Sequence, residues 1–151
     1  MLEYINVSII GVPRETQLRA LKLLNAVLEE GERREIFKFA YKTMRNRWER
    51  LNNTLSMSKR FSVQKIAPQF CSFQKVRGPS PAYAWVKCER QEDKDCYSVL
   101  KAANIDGRAG SVFSADDHYV RLSLIKSQDD FEILLDKITK LVAEEKGARY
   151  M

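Results

Sequence analysis

The segment Tyr119-Val120-Arg121-Leu122-Ser123-Leu124 constrains this chain more than any other. Successive side chains of a strand point to opposite faces. Val120, Leu122 and Leu124 therefore share one face, and Tyr119, Arg121 and Ser123 share the other. Such a strand seals a core on one side and presents a guanidinium on a rigid support on the other. A guanidinium offers paired N–H donors in a planar fork that matches a carboxylate bidentately. Pattern alone favours a plainer reading, a solvated arginine on a half-exposed strand. A glycine turn, Gly107-Arg108-Ala109-Gly110-Ser111-Val112-Phe113, leads into the strand.

The rest of the chain supplies elements for that strand to pack against. Pro13 and Gly31 mark the ends of a helix between Gly11 and Gly31, with Leu18, Leu21, Leu24 and Leu28 as its apolar stripe. A second, longer helix is expected from about Arg33 to Ser56, where Phe37, Tyr41, Met44, Trp48, Leu51 and Leu55 recur every three or four residues. Its length suits a helix that braces two parts of a protein. Tyr4 to Ile10 reads as the end of something that begins upstream.

Phe61 to Val63 is a brief strand, Pro68 to Pro81 a loop, and Ala82 to Cys88 the best central strand, although its alternation is imperfect. Asp93 to Ala103 reads as a short helix, and Ile105 opens a short strand or turn. Ser127 followed by Asp130 is a capping-box-like start for the last helix, whose stripe is Phe131, Leu134, Leu135, Ile138, Leu141 and Val142. Gly147 to Met151 reads as a frayed tail. Two leading helices followed by mixed strands and helices indicate a two-layer α+β domain.

Composition narrows the function. A chain of 151 residues suits one domain with a real core, and no apolar run reaches the length of a membrane span. The start, Met1-Leu2-Glu3-Tyr4, has neither the basic residues nor the cleavage site of a signal peptide. The net charge of +6 is uneven, with 15 Lys/Arg against 7 Asp/Glu up to Arg77 and 11 against 13 thereafter. The excess lies mainly between Arg33 and Arg60, interrupted by acids and apolar residues. It reads as a solvated helix face and not as a nucleic-acid surface. Cys71, Cys88 and Cys96 are irregularly spaced and odd in number, so reduced, packed thiols are expected. With His118 the single histidine, no metal site is expected.

Read in order, several stretches resemble one family. These are Ser8-Ile9-Ile10-Gly11-Val12-Pro13-Arg14-Glu15-Thr16-Gln17-Leu18-Arg19, Arg47-Trp48-Glu49, Lys59-Arg60-Phe61-Ser62, Ala82-Tyr83-Ala84-Trp85-Val86-Lys87-Cys88-Glu89, Gly107-Arg108-Ala109-Gly110 and the Arg121 strand. The chain resembles the C-terminal part of fold-type-I pyridoxal-phosphate enzymes, in particular the plant alliinase and tryptophan-aminotransferase-related group. Ser127-Gln128-Asp129-Asp130-Phe131 is nearest to the aminotransferase-related branch.

The resemblance implies a small α+β domain with a mixed sheet over residues 57–146, reached through leading and connecting helices over 1–56, with 147–151 as a tail. It implies that Arg121 grips the α-carboxylate of an L-amino acid, with a 2-oxo acid as the second substrate. It implies pyridoxal phosphate as cofactor and a homodimer when complete. The lysine that holds the cofactor, and most groups around it, lie upstream in such enzymes, and no lysine here matches their context. No catalytic or cofactor-binding residue is therefore assigned, and Met1 reads as an internal residue of a longer protein that is inactive without its other part.

Two reactions remain open: amino transfer, including tryptophan to indole-3-pyruvate in auxin synthesis, and alliinase-type C–S elimination. A non-catalytic fragment or interaction module is the reading from another class. Location is open, with the cytoplasm as default and any signal or anchor left to the region upstream.

Overall fold

The structure is a computed structural model that describes residues 13–29, 33–67, 69–70 and 76–147. Along the chain come α1 (Arg14–Glu29), α2 (Arg33–Leu55), β1 (Phe61–Val63), β2 (Gln69–Phe70), β3 (Val76–Arg77), β4 (Tyr83–Cys88) and α3 (Cys96–Ala102). Then follow β5 (Arg108–Ala109), a 3-10 turn (Gly110–Phe113), β6 (Tyr119–Ser123) and α4 (Gln128–Gly147). The chain divides into two compact units, Met1–Ala40 and Tyr41–Met151, with the boundary inside α2.

In the first unit, the carbonyl of Pro13 accepts the first helical bond of α1 from Gln17 N–H. Leu18, Leu21, Leu24 and Leu28 do form one stripe, but each is about half exposed. Tyr4 to Ile10 and Gly31 lie outside the described residues, as do Pro68, Cys71 and the tail after Gly147.

The second unit is built on a four-stranded sheet in the order β1-β4-β6-β5. Every pairing in it is antiparallel, which corrects the expected mixed sheet. The connection through α3 does bring β5 parallel to β4, but β6 inserts between the two and runs against both. Between β1 and β4 the expected loop contains a small ladder, β2 with β3.

One face of the sheet is sealed. Ala84, Val86 and Cys88 of β4, Val120 and Leu122 of β6, and Leu124 just after it are all buried. They form one core with Trp48, Leu51 and Leu55 of α2, Leu100 of α3, and Phe131, Ile138 and Val142 of α4. The alternation of β4 is thus regular. It looked imperfect in sequence because small Ala84 faces the core while bulky Trp85 faces away. Ser127 caps α4 as expected, its Oγ accepting from Asp130 N–H.

The cysteine expectation is corrected. Cys88 and Cys96 are joined in a disulfide that ties the end of β4 to the start of α3, and both are fully buried. The odd count misled because it includes Cys71, and the eight-residue separation is too short to stand out as a framework. The basic stretch also differs from a purely solvated face. Arg50 pairs bidentately with Glu132, and Arg60 pairs bidentately with Asp93.

Candidate anion-binding site

The open face of the sheet is set by the same alternation that fills the core. Arg121 stands directly opposite Trp85 of β4 on one side and Arg108 of β5 on the other. Directly opposed residues of antiparallel strands project to the same face. Tyr83, two residues before Trp85, therefore lies diagonally beside Arg121.

The Arg121 guanidinium carbon lies 4.2 Å from the centre of the Tyr83 ring and 4.0 Å from that of Phe113. Phe113 also meets Trp85 edge-on, with ring centres 5.5 Å apart. The cation is therefore flanked by two aromatic rings, and a guanidinium stacked on a ring keeps its in-plane N–H donors available. Among the described residues no carboxylate pairs with Arg121 or with Arg108. Like charges placed opposite each other across a ladder repel. An anion in front of this pair relieves that repulsion, so the local field selects for negative charge.

Phe113 arrives there through a tightly packed turn. A methyl group on Gly110 would lie 2.3 Å from the Asp116 carbonyl oxygen and 2.9 Å from that of Tyr119. Gly107 is as constrained, since a Cβ there would lie 2.4 Å from Val120 Cγ1. Both glycines are required by close approach to the backbone and to β6. The turn closes with Ser114 in the left-handed region, φ 56°, and Ala115 N–H donates to Gly110 O. Further on, Cys88 N–H donates to His118 O and Cys96 N–H to Asp117 O, so the loop is fastened at the disulfide.

The strand is anchored from the helical side as well. Arg47 of α2, only 5% exposed, donates to the carbonyls of Leu124 and Lys126 and to Gln128 Oε1. It fixes the point where β6 turns into α4. A cleft of about 350 Å³ opens beside Trp85, lined by Ser62, Gln64, Lys87, Ala115 and Tyr119.

Sequence reasoning assigned Arg121 to the face of its strand opposite Val120 and Leu122, and it lies there. It did not find Tyr83, Phe113 or Arg47 as parts of the arrangement. Tyr83 could have been found from the diagonal that follows once β4 and β6 pair. Phe113 lies in a turn, where no periodicity speaks for it.

Lys87 is the group on this sheet face to test against pyridoxal phosphate, which bonds to a lysine amine. Lys87, the lysine on this sheet face, donates to Glu89 at 2.7 Å. The hydrogen bond to Glu89 raises its pKa and keeps the amine protonated, the opposite of what a cofactor-bonding amine needs. No cluster of three metal-ligating side chains occurs among the described residues, and no described helix is long and apolar enough to cross a membrane. What this face can do is hold an anion.

Comparison with known proteins shows the family of the chain. The family model for the alliinase C-terminal domain, described as Allinase, matches residues 1–142. The chain is 54% identical over 143 residues to tryptophan aminotransferase-related protein 3 of Arabidopsis thaliana, which covers 94% of this chain and 31% of that protein. It is 51% identical to the related protein 4 of the same plant, over 96% of this chain and 31% of the relative. Alliin lyase 1 of Allium sativum is 43% identical over 94% of this chain and 31% of its own length. The chain thus spans about a third of the curated relatives it matches. It belongs to the alliinase family, whose C-terminal domain it carries.

Proposed function

We propose that this chain is the substrate-carboxylate-binding, C-terminal part of a pyridoxal-phosphate-dependent aminotransferase that acts on an L-amino acid. The observation that carries this reading is Arg121, stacked on two rings with no acidic partner among the described residues. A bound pyridoxal phosphate supplies an electron sink for the substrate's α-carbon. This chain's share is to hold the substrate by its carboxylate and so fix its orientation. Arg121 donates through its free edge, Arg108 adds positive potential, and Trp85 walls the adjoining cleft. The cofactor's lysine is assigned to the part of the longer relatives that this chain does not match, so the chain alone is inactive.

Amino transfer ranks first because identity to the aminotransferase-related proteins 3 and 4, at 54% and 51%, exceeds the 43% to alliin lyase 1, although the related proteins 2 of rice and Arabidopsis stand lower, at 32% and 35%. The donor we propose is tryptophan, in keeping with the names of the aminotransferase-related proteins 3 and 4, with conversion to indole-3-pyruvate for auxin synthesis as the reaction. Alliinase-type C–S elimination is the second reading, favoured by 43% identity to an alliin lyase across nearly the whole chain. Products of the complete protein separate the two. A 2-oxo acid paired with an aminated acceptor means transfer, and pyruvate with ammonia means elimination.

In that protein Arg121→Ala raises the KM for the amino acid roughly 10- to 100-fold, the worth of a charge-assisted fork, while the cofactor's absorbance is retained. An unchanged KM removes Arg121 from the site. The buried Cys88–Cys96 bridge supports an oxidising compartment for the complete protein over the default cytoplasm.

A further inference from the structure

An arginine side chain has many rotamers, and freedom that it still has before binding is lost when it grips a ligand. At Arg121 the surroundings restrict that freedom in advance. Tyr83 comes from a central strand of the sheet. Phe113 comes from a 3-10 turn held by two sterically required glycines and fastened to the disulfide region. Phe113 is further braced edge-on by Trp85, itself cross-strand from Arg121. Tyr83 and Phe113 thus flank a guanidinium that has no hydrogen bond to the protein among the described residues. Rings are suited to this purpose: they attract the cation's face and leave its N–H edge unspent, whereas a carboxylate neighbour would occupy that edge.

We propose that Phe113 and Tyr83 are positioning residues, an aromatic clamp that holds Arg121 with its donor edge presented to an incoming carboxylate. The proposal rests on the reading of Arg121 as the carboxylate site and adds to it how the guanidinium is kept ready. Neither ring touches the reacting atoms. Each acts through Arg121, and its contribution is pre-organisation.

The test uses the complete, cofactor-loaded protein and two ligand pairs that differ only in the carboxylate: L-tryptophan with tryptamine, and S-propyl-L-cysteine with 2-(propylthio)ethylamine. Affinities are measured by calorimetry for the unsubstituted protein and for Arg121→Ala, Phe113→Leu, Tyr83→Leu and Phe113→Tyr. Both rings are partly exposed (38% and 39%), so their loss leaves the core intact. Phe113→Leu and Tyr83→Leu each weaken the amino acid roughly 3- to 30-fold, the range of a partly desolvated cation–π contact. They leave the amine unchanged, and Phe113→Tyr, which keeps a ring, restores binding.

If Arg121→Ala removes the amino acid's advantage over the amine while both leucine variants stay within twofold of the unsubstituted protein, the clamp is wrong and the carboxylate site stands. If Arg121→Ala leaves that advantage intact, or neither amino acid outbinds its amine in the unsubstituted protein, the carboxylate reading falls and takes the clamp with it. Equal weakening of amino acid and amine by the leucine variants assigns the rings a general structural role and also overturns the clamp.

Discussion

The two faces of the sheet alternate residue by residue along β4 and β6, yet they treat their arginines in opposite ways. On the helix-covered side Arg47 is buried and spends three hydrogen bonds on the carbonyls and amide that end β6 and begin α4. On the open side Arg121 is stacked on rings that can accept none of its donors. The same side chain serves the fold where oxygens converge on it, and keeps its donors unspent where aromatic rings flank it. Charge in the sequence is equal in the two cases; the difference lies in the neighbours.

The sharpest way to break this contrast is to substitute adjacent residues of β6. Leu122 is 1% exposed in the core, and Leu122→Ala lowers unfolding free energy by about 2–5 kcal/mol. Arg121→Ala, one residue away, changes it by less than about 1 kcal/mol, because its lost ring contacts are offset by relief of the repulsion with Arg108. Urea unfolding of the two variants checks this. Similar losses at both positions would mean that the open face carries stability after all.

The disulfide sits where the two faces meet the Phe113 loop, so breaking it reports on both. A bridge that closes an eight-residue separation contributes about 2.5 kcal/mol by restricting the unfolded chain. The double variant Cys88→Ala/Cys96→Ala therefore loses about that much stability. Because the loop is hydrogen-bonded to the backbone of both cysteines, amino-acid affinity falls with it. Calorimetric melting beside a binding titration measures the pair. A loss of stability with unchanged affinity would uncouple the loop from the bridge.

Strand alternation made Arg121 and its face legible in the sequence, because a period of two needs only one strand to be read. Helical stripes gave α2 and α4 in the same way, down to the Ser127 cap. Their limit shows at Phe37, which continues the α2 stripe yet is 68% exposed, since periodicity marks a face and does not say what covers it. The Arg121 clamp was not legible, as it joins a strand, its neighbour's diagonal and a turn, and pairing had first to bring Tyr83 and Phe113 together. Arg47 looked like one more basic helix residue. Its burial depends on two carbonyls more than seventy residues away, which no local pattern encodes. The Cys88–Cys96 bridge was misread for a related reason: counting thiols says nothing of which two the fold sets side by side.

The smallest expected effect separates the faces by pH. On the side that serves the fold, Asp93 is held below the usual carboxylate range, chiefly by its hydrogen bonds from Arg60, against the opposing cost of burial. Burial raises the pKa of Glu145, but donation from Ser58 and from the Lys59 and Arg60 backbone brings it below the ordinary value on balance. A carboxylate whose folded pKa is depressed binds fewer protons when folded than when unfolded. Its stabilisation is complete above the unfolded value, roughly pH 4 to 5, and is lost as pH falls through the folded value. Asp93 is expected to contribute about 1–2 kcal/mol in this way. Melting temperature therefore declines below about pH 5, and Asp93→Asn lowers the neutral-pH plateau while flattening that decline. Guanidinium groups stay charged throughout this range. Carboxylate binding on the open face should then persist at acidic pH wherever the fold itself survives. If affinity instead falls in parallel with the Asp93-dependent loss of stability, the two faces are not independent, and the division between fold-serving and ligand-serving charge fails.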